Sequence, residues 1–144
     1  MERTGIFWDG VAGRVPMPAA ARTLGFELLD AQHDTRSVTI AFAGIDAFTN
    51  PFGKVLGGFL AAMLYDTVGP ALLSVLPAGR FIETLELNTT FLRPAEPGQL
   101  IGRGRVVTLD GDLAELEGTL EDRTGNLVAT STATARIVDI EPSR

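Results

Sequence analysis

The sequence predicts an α+β fold: a curved antiparallel sheet of six strands wrapped around one long central helix. Three observations carry this expectation. The stretch from about Val55 to Val75 is apolar on nearly every side, as a buried helix is. Six other stretches alternate apolar and polar residues, the pattern of half-buried strands. One helix cannot cover six strands on both faces. The sheet must therefore curl about it, and its outer face and edges need cover, which favours a homodimer or a dimer of dimers.

The elements follow in order. MPAAARTLG (17–25) reads as a short helix, with Pro18 suited to a first turn and Gly25 to the end. FELLDAQ (26–32) and SVTIAFA (37–43) read as strands around a polar loop that holds the single histidine, His33. Ser37, Thr39 and Ala41 alternate there with Val38, Ile40 and Phe42. AGIDAFTNPFG carries turn chemistry at Gly44, Asn50-Pro51 and Gly53. The long helix contains Pro70, which has no N–H for the carbonyl of Asp66, so a kink is expected near Gly69-Pro70. PAGR (77–80) is a turn. Four strands then follow: 81–94, 99–110, 112–122 and 126–140. In the first, Ile82, Thr84, Glu86 and Asn88 alternate with Phe81, Leu85, Leu87 and Phe91. The short connections at Pro97-Gly98, Asp110-Gly111 and Gly125-Asn126 predict that all four are antiparallel neighbours.

The 144 residues suit one domain, 1–144, with 1–23 as an N-terminal arm and short helix. Net charge is −6, which disfavours nucleic acid as a partner. With no cysteine and one histidine in a loop, disulfides, thiolate chemistry, a Ser-His-Asp site and a multi-histidine metal site are not expected. The N-terminus does not read as a signal peptide. No apolar run approaches the roughly 20 residues that span a bilayer. A cytoplasmic protein without membrane contact is expected.

The chemistry concentrates in NPFGKVLGGFLAAMLYDTVGPA (50–71). Gly57-Gly58 opens the helix. A helix start offers unpaired N–H groups and the positive end of the dipole, and glycine lets a ligand approach the backbone closely. Such a start can hold a developing oxyanion. Two turns later Asp66 stands in the apolar helix with Tyr65 beside it.

From about Leu24 to Val138 the chain resembles the hotdog-fold acyl-CoA thioesterases of the phenylacetate-degradation type. The resemblance rests on Asn50, Gly53, Gly57-Gly58 and a following acid, and on TLELNTTFLRPAEPG (84–98). It implies hydrolysis of an acyl- or aryl-CoA thioester at a dimer interface, with no cofactor and with coenzyme A only as part of the substrate. The N–H of Gly57 would carry the oxyanion, with Gly58 beside it. An acid, usually from the other subunit, would be base or nucleophile; Asn50 would orient water or thioester, and Thr84 would give a supporting hydroxyl. Leu56, Phe52 and Val55 flank the helix start. Arg93, with Arg103, Arg105, Arg123 and Lys54, is a cation available to coenzyme A phosphates.

The sequence departs from this pattern twice. Leu56 stands where the family often has His or Gln. Tyr65 stands where it has the acid, and Asp66 lies one residue on, about 100° around a helix. Each residue also has a plainer reading: helix packing for the Gly pair, a turn for Asn50, a strand position for Thr84, a core or interface aromatic for Tyr65. Asp66 can be a buried carboxylate held by a neighbouring hydroxyl or N–H, or a solvated one at a subunit seam. Two further functions fit the same residues. One is a hotdog protein that binds an acyl-CoA or another hydrophobic small molecule with little or no hydrolysis. The other is a different reaction on a thioester, with Tyr65 as acid.

Overall fold

Alternation becomes strand wherever it was expected, but the order of the strands is not the order of the chain. The computed structural model describes residues 3–140. Helices α1 (Ile6–Val11), α2 (Ala19–Leu24) and α3 (Gly57–Leu73) accompany strands β1 (Glu27–Gln32), β2 (Ser37–Gly44), β3 (Arg80–Phe91), β4 (Gly98–Asp110), β5 (Leu113–Asp122) and β6 (Leu127–Asp139). One antiparallel sheet runs β1-β2-β4-β5-β6-β3.

The expected β3–β4 neighbourhood is therefore corrected. β2 takes one side of β4, from Ser37↔Arg105 to Gly44↔Gly98. The tight Asp110-Gly111 turn puts β5 on the other side. No edge of β4 remains, so β3 crosses to the far side and pairs with β6. A second correction lies within β3. Thr84 pairs with Ala135 and Glu86 with Thr134, so Leu85 is an extra residue, a β-bulge. The bulge inverts the alternation: Ile82 and Thr84 turn inward before it, Leu87 and Thr89 after it, and Leu85 is exposed. α1 was not expected at all. Its six residues carry no helical stripe; it is held by buried Trp8, whose ring also has the Arg3 guanidinium over it at 4.5 Å.

α3 touches β2 through β6. Met63, Leu64, Val68, Ala71 and Leu72 are fully buried against them. Each large side chain among these contributes on the order of 1.5–3 kcal/mol. The close approach depends on glycines in the sheet. A Cβ on Gly102 would lie 2.3 Å from Thr67 Oγ1, one on Gly104 2.7 Å from the Thr67 carbonyl oxygen, and one on Gly118 2.8 Å from Val68 Cγ1. Thr67 itself is satisfied, its buried hydroxyl donating to the Met63 carbonyl at 2.7 Å. The helix is two residues shorter at each end than expected and is unbroken through Pro70. α2 begins after Pro18 and ends at Gly25, which is left-handed at φ 70°. His33 is exposed in the β1–β2 loop, as expected. No helix among the described residues is long and apolar enough to cross a membrane.

Candidate active site

The loop before α3 is wired by Asn50. Its Oδ1 accepts from the Phe52 N–H at 2.9 Å and the Lys54 N–H at 3.1 Å. Its backbone N–H donates to the Lys54 carbonyl at 2.7 Å. This is the turn chemistry of asparagine, and it leaves Nδ2 as the group able to act on a ligand. Lys54 pairs with Glu96. The Val55 N–H donates to the Ala95 carbonyl and the Leu56 N–H to the Phe48 carbonyl, so the chain enters the helix from a fixed direction.

Leu56 is the N-cap residue, extended, with no side-chain cap. Its carbonyl accepts from the Phe59 and Leu60 N–H groups. The Gly57 and Gly58 N–H groups have no acceptor among the described residues. The two glycines differ in surroundings. A Cβ on Gly57 would meet the Phe91 ring at 3.1 Å; one on Gly58 would meet nothing within 4 Å. Gly57 is thus packed and Gly58 open.

Gly58 opens on a cleft of about 450 Å³ between α2 and α3. Ala61, Ala62, Tyr65 and Asp66 continue its α3 wall; Pro18, Ala20, Ala21 and Leu24 form the other, with Leu87 of β3. The expectation of a helix buried nearly all round needs this amendment: the Gly58–Ala61–Ala62–Tyr65 side is open. Tyr65 is 50% exposed. Asp66 is half-buried, and its Oδ2 is buried without a hydrogen-bond partner. Burial pushes its pKa up from 3.8 to about 6. Being one step around the helix does not take Asp66 out of the cleft; both residues line it.

The remaining candidates scatter. Thr84 is half-buried on β3 and does not line the cleft. Phe52 is 86% exposed, Leu56 46% exposed, and Arg93 is exposed in the β3–β4 connection. Val55 is buried at 3% in the core. The α2 wall and Leu87 were missed in the sequence. The small residues Gly58, Ala61 and Ala62, spaced three and four apart, were the legible signal that this side of α3 stays open.

Comparison with known proteins agrees with this fold. The thioesterase superfamily model matches residues 52–129, more than half of the chain. A phenylacetic acid degradation-related protein from Ralstonia eutropha JMP134 is 38% identical, with TM-score 0.87 over 90% of this chain and 98% of that one. A thioesterase family protein from Silicibacter pomeroyi (23% identity, TM-score 0.82, 94% and 100% covered) and a thioesterase from Haemophilus influenzae (19%, 0.80, 92% of each) share the fold. No curated protein matches the sequence. With more than half of its length in the family model and a relative at 38% identity over nearly all of it, this chain belongs to the thioesterase superfamily, as a hotdog-fold protein of the phenylacetate-degradation type.

Proposed function

We propose that the protein hydrolyses an acyl- or aryl-CoA thioester at a site formed between two copies of the chain. One observation carries the reading. The unpaired Gly58 N–H and the unpartnered, half-buried Asp66 carboxylate border the same cleft, yet sit eight residues apart on one helix. At 1.5 Å per residue that is about 12 Å. A reacting carbonyl and its attacking water lie roughly 3–3.5 Å apart. The Gly57-Gly58 pair and Asp66 of one chain therefore cannot serve one carbonyl, whereas Asp66 of a second copy can. The free edge of β3, with Phe81, Leu85 and Phe91 exposed, supports pairing with such a copy.

In this reading the thioester oxygen sits against the Gly57 and Gly58 N–H groups. Asp66 takes a proton from water as the water oxygen bonds to the carbonyl carbon. The oxyanion forms against the N–H pair and the helix dipole. Its collapse breaks the C–S bond and expels the coenzyme A thiolate, which is then protonated. Asn50 Nδ2 orients the water or the thioester, and Thr84 is a supporting hydroxyl. Phe52, Leu56 and Arg93 contact the coenzyme A side.

Two tests apply. Coenzyme A release from a panel of acyl and aryl thioesters is expected from the parent protein. An inert parent with turnover appearing in Tyr65→Asp would favour the second reading, a protein that binds the thioester without hydrolysis. The exposed Tyr65 and the apolar Leu56 are the observations behind that alternative. Gly58→Ala separates site from scaffold. Its Cβ meets nothing in the free protein, and alanine favours helix by roughly 0.5–1 kcal/mol. The melting temperature is expected to hold or rise while kcat/KM falls at least about 10-fold, because the methyl group occupies the approach to the N–H. Unchanged kcat/KM would remove Gly58 from the site.

A further inference from the structure

Asp66 borders a second space. Toward the C-terminal end of α3 lies a lobe of about 450 Å³, more enclosed than the cleft. Its walls include Phe7 of α1, Val15 and Met17 of the loop that follows, Leu73 of α3 and Phe81 of β3. Every lining residue but Asp66 is apolar or glycine. The N-terminal arm is what closes it. Gly10 lets α1 lie directly against Met17, since a Cβ there would meet the Met17 sulfur at 2.8 Å.

Pro18, Ala21 and Asp66 line both the cleft and the lobe, so the two meet at the carboxylate. A water activated by Asp66 attacks a carbonyl at that junction. The two arms of the thioester then leave in different directions. The coenzyme A arm leaves toward the Gly57-Gly58 start of the copy that holds the carbonyl. The enclosed apolar lobe suits the other.

Resting on the thioesterase reading above, we propose that this lobe holds the acyl group, that the arm from Ile6 to Pro18 is its wall, and that the chain supplying Asp66 also supplies the acyl pocket. The lobe selects uncharged acyl groups with no polar substituent beyond the carbonyl. Each methylene buried in it is worth roughly fourfold in binding. A hydroxyl carried into it finds no partner among the apolar walls, at a cost of roughly 10- to 100-fold.

The test compares acetyl-, hexanoyl-, decanoyl- and 6-hydroxyhexanoyl-CoA by thiol release, with Val15→Trp to fill the lobe and Met17→Ala to enlarge it. For the parent, kcat/KM is expected to rise from acetyl to hexanoyl and to fall at least 10-fold on adding the hydroxyl. Val15→Trp is expected to lower the hexanoyl-to-acetyl ratio at least 10-fold. Met17→Ala is expected to raise the decanoyl-to-hexanoyl ratio, which keeps the inference testable if the tryptophan variant does not fold. Ratios unmoved by both variants, or equal hydrolysis with and without the hydroxyl, would overturn it. If no thioester is hydrolysed, it is the thioesterase reading that fails. The lobe is then judged by calorimetric binding of hexanoyl-CoA: at least 10-fold weaker binding to Val15→Trp than to the parent supports it, and equal or absent binding overturns it.

Discussion

Asp66→Asn is expected to lower coenzyme A release by about 10²- to 10⁴-fold, the usual worth of a positioned general base, and to raise the melting temperature at pH 8. The two effects share one cause. Burial holds the carboxyl at about 6 in the folded protein against an ordinary value of 3.8. A raised carboxyl pKa means that the folded state holds its proton more tightly than the unfolded chain does. Stability from this group is thus present at low pH and is lost as pH rises from about 4 through about 6. Above that, the folded protein carries a charge with a buried, unpartnered oxygen. The cost is at most about 3 kcal/mol, lessened because the group is partly exposed. Asparagine removes the charge, and a gain of several degrees at pH 8, shrinking toward zero near pH 4, is expected by calorimetry. The parent's kcat/KM should rise with pH through about 6 and then level, because the base must be ionised. A variant that keeps its activity, or loses it only by unfolding, would assign Asp66 to structure alone.

Gly104→Val is expected to be the most destabilising single change in the sheet, by about 3 kcal/mol or more in urea unfolding. The added Cβ would lie 2.7 Å from a backbone oxygen, the Thr67 carbonyl. A helix carbonyl cannot rotate aside as a side chain does, so α3 must lift off β4. Overpacking of this kind costs roughly 1–3 kcal/mol where neighbours can yield, and more where they cannot. Gly118→Ala is the milder comparison, because its nearest neighbour is a side-chain methyl, Val68 Cγ1 at 2.8 Å. Equal losses at the two positions would show that the helix backbone yields as readily as a side chain.

Most of the fold was legible because each element carries its own period. The strands of residues 27–44 and 98–139 and the apolar helix can be read without knowing their neighbours. What could not be read depends on competition between elements. β3 lies beside β6 only because β2 and β5 take both edges of β4, a fact about three other segments. The bulge at Leu85 is invisible to alternation because it breaks alternation. At the site, the Gly57-Gly58 start and Asp66 were legible from local chemistry. Asn50 was read both as a turn residue and as a ligand-orienting group; its oxygen serves the turn at Phe52 and Lys54, which leaves Nδ2 for the second role. The α2 wall and the lobe beneath the arm bring together residues from Ile6 to Leu87, and no local pattern announces them.

The place of β3 at the far edge also has a consequence for synthesis. Thr84 pairs with Ala135, so about 50 residues separate the emergence of β3 from that of its partner. At ~5–20 residues per second the nascent strand waits roughly 3–10 s with its edge unpaired. During that time Leu85, Leu87 and Phe91 are in water or against chaperones. Slow codons for Leu127 to Asp139, read while β3 waits for this strand, would lengthen the aggregation-prone interval.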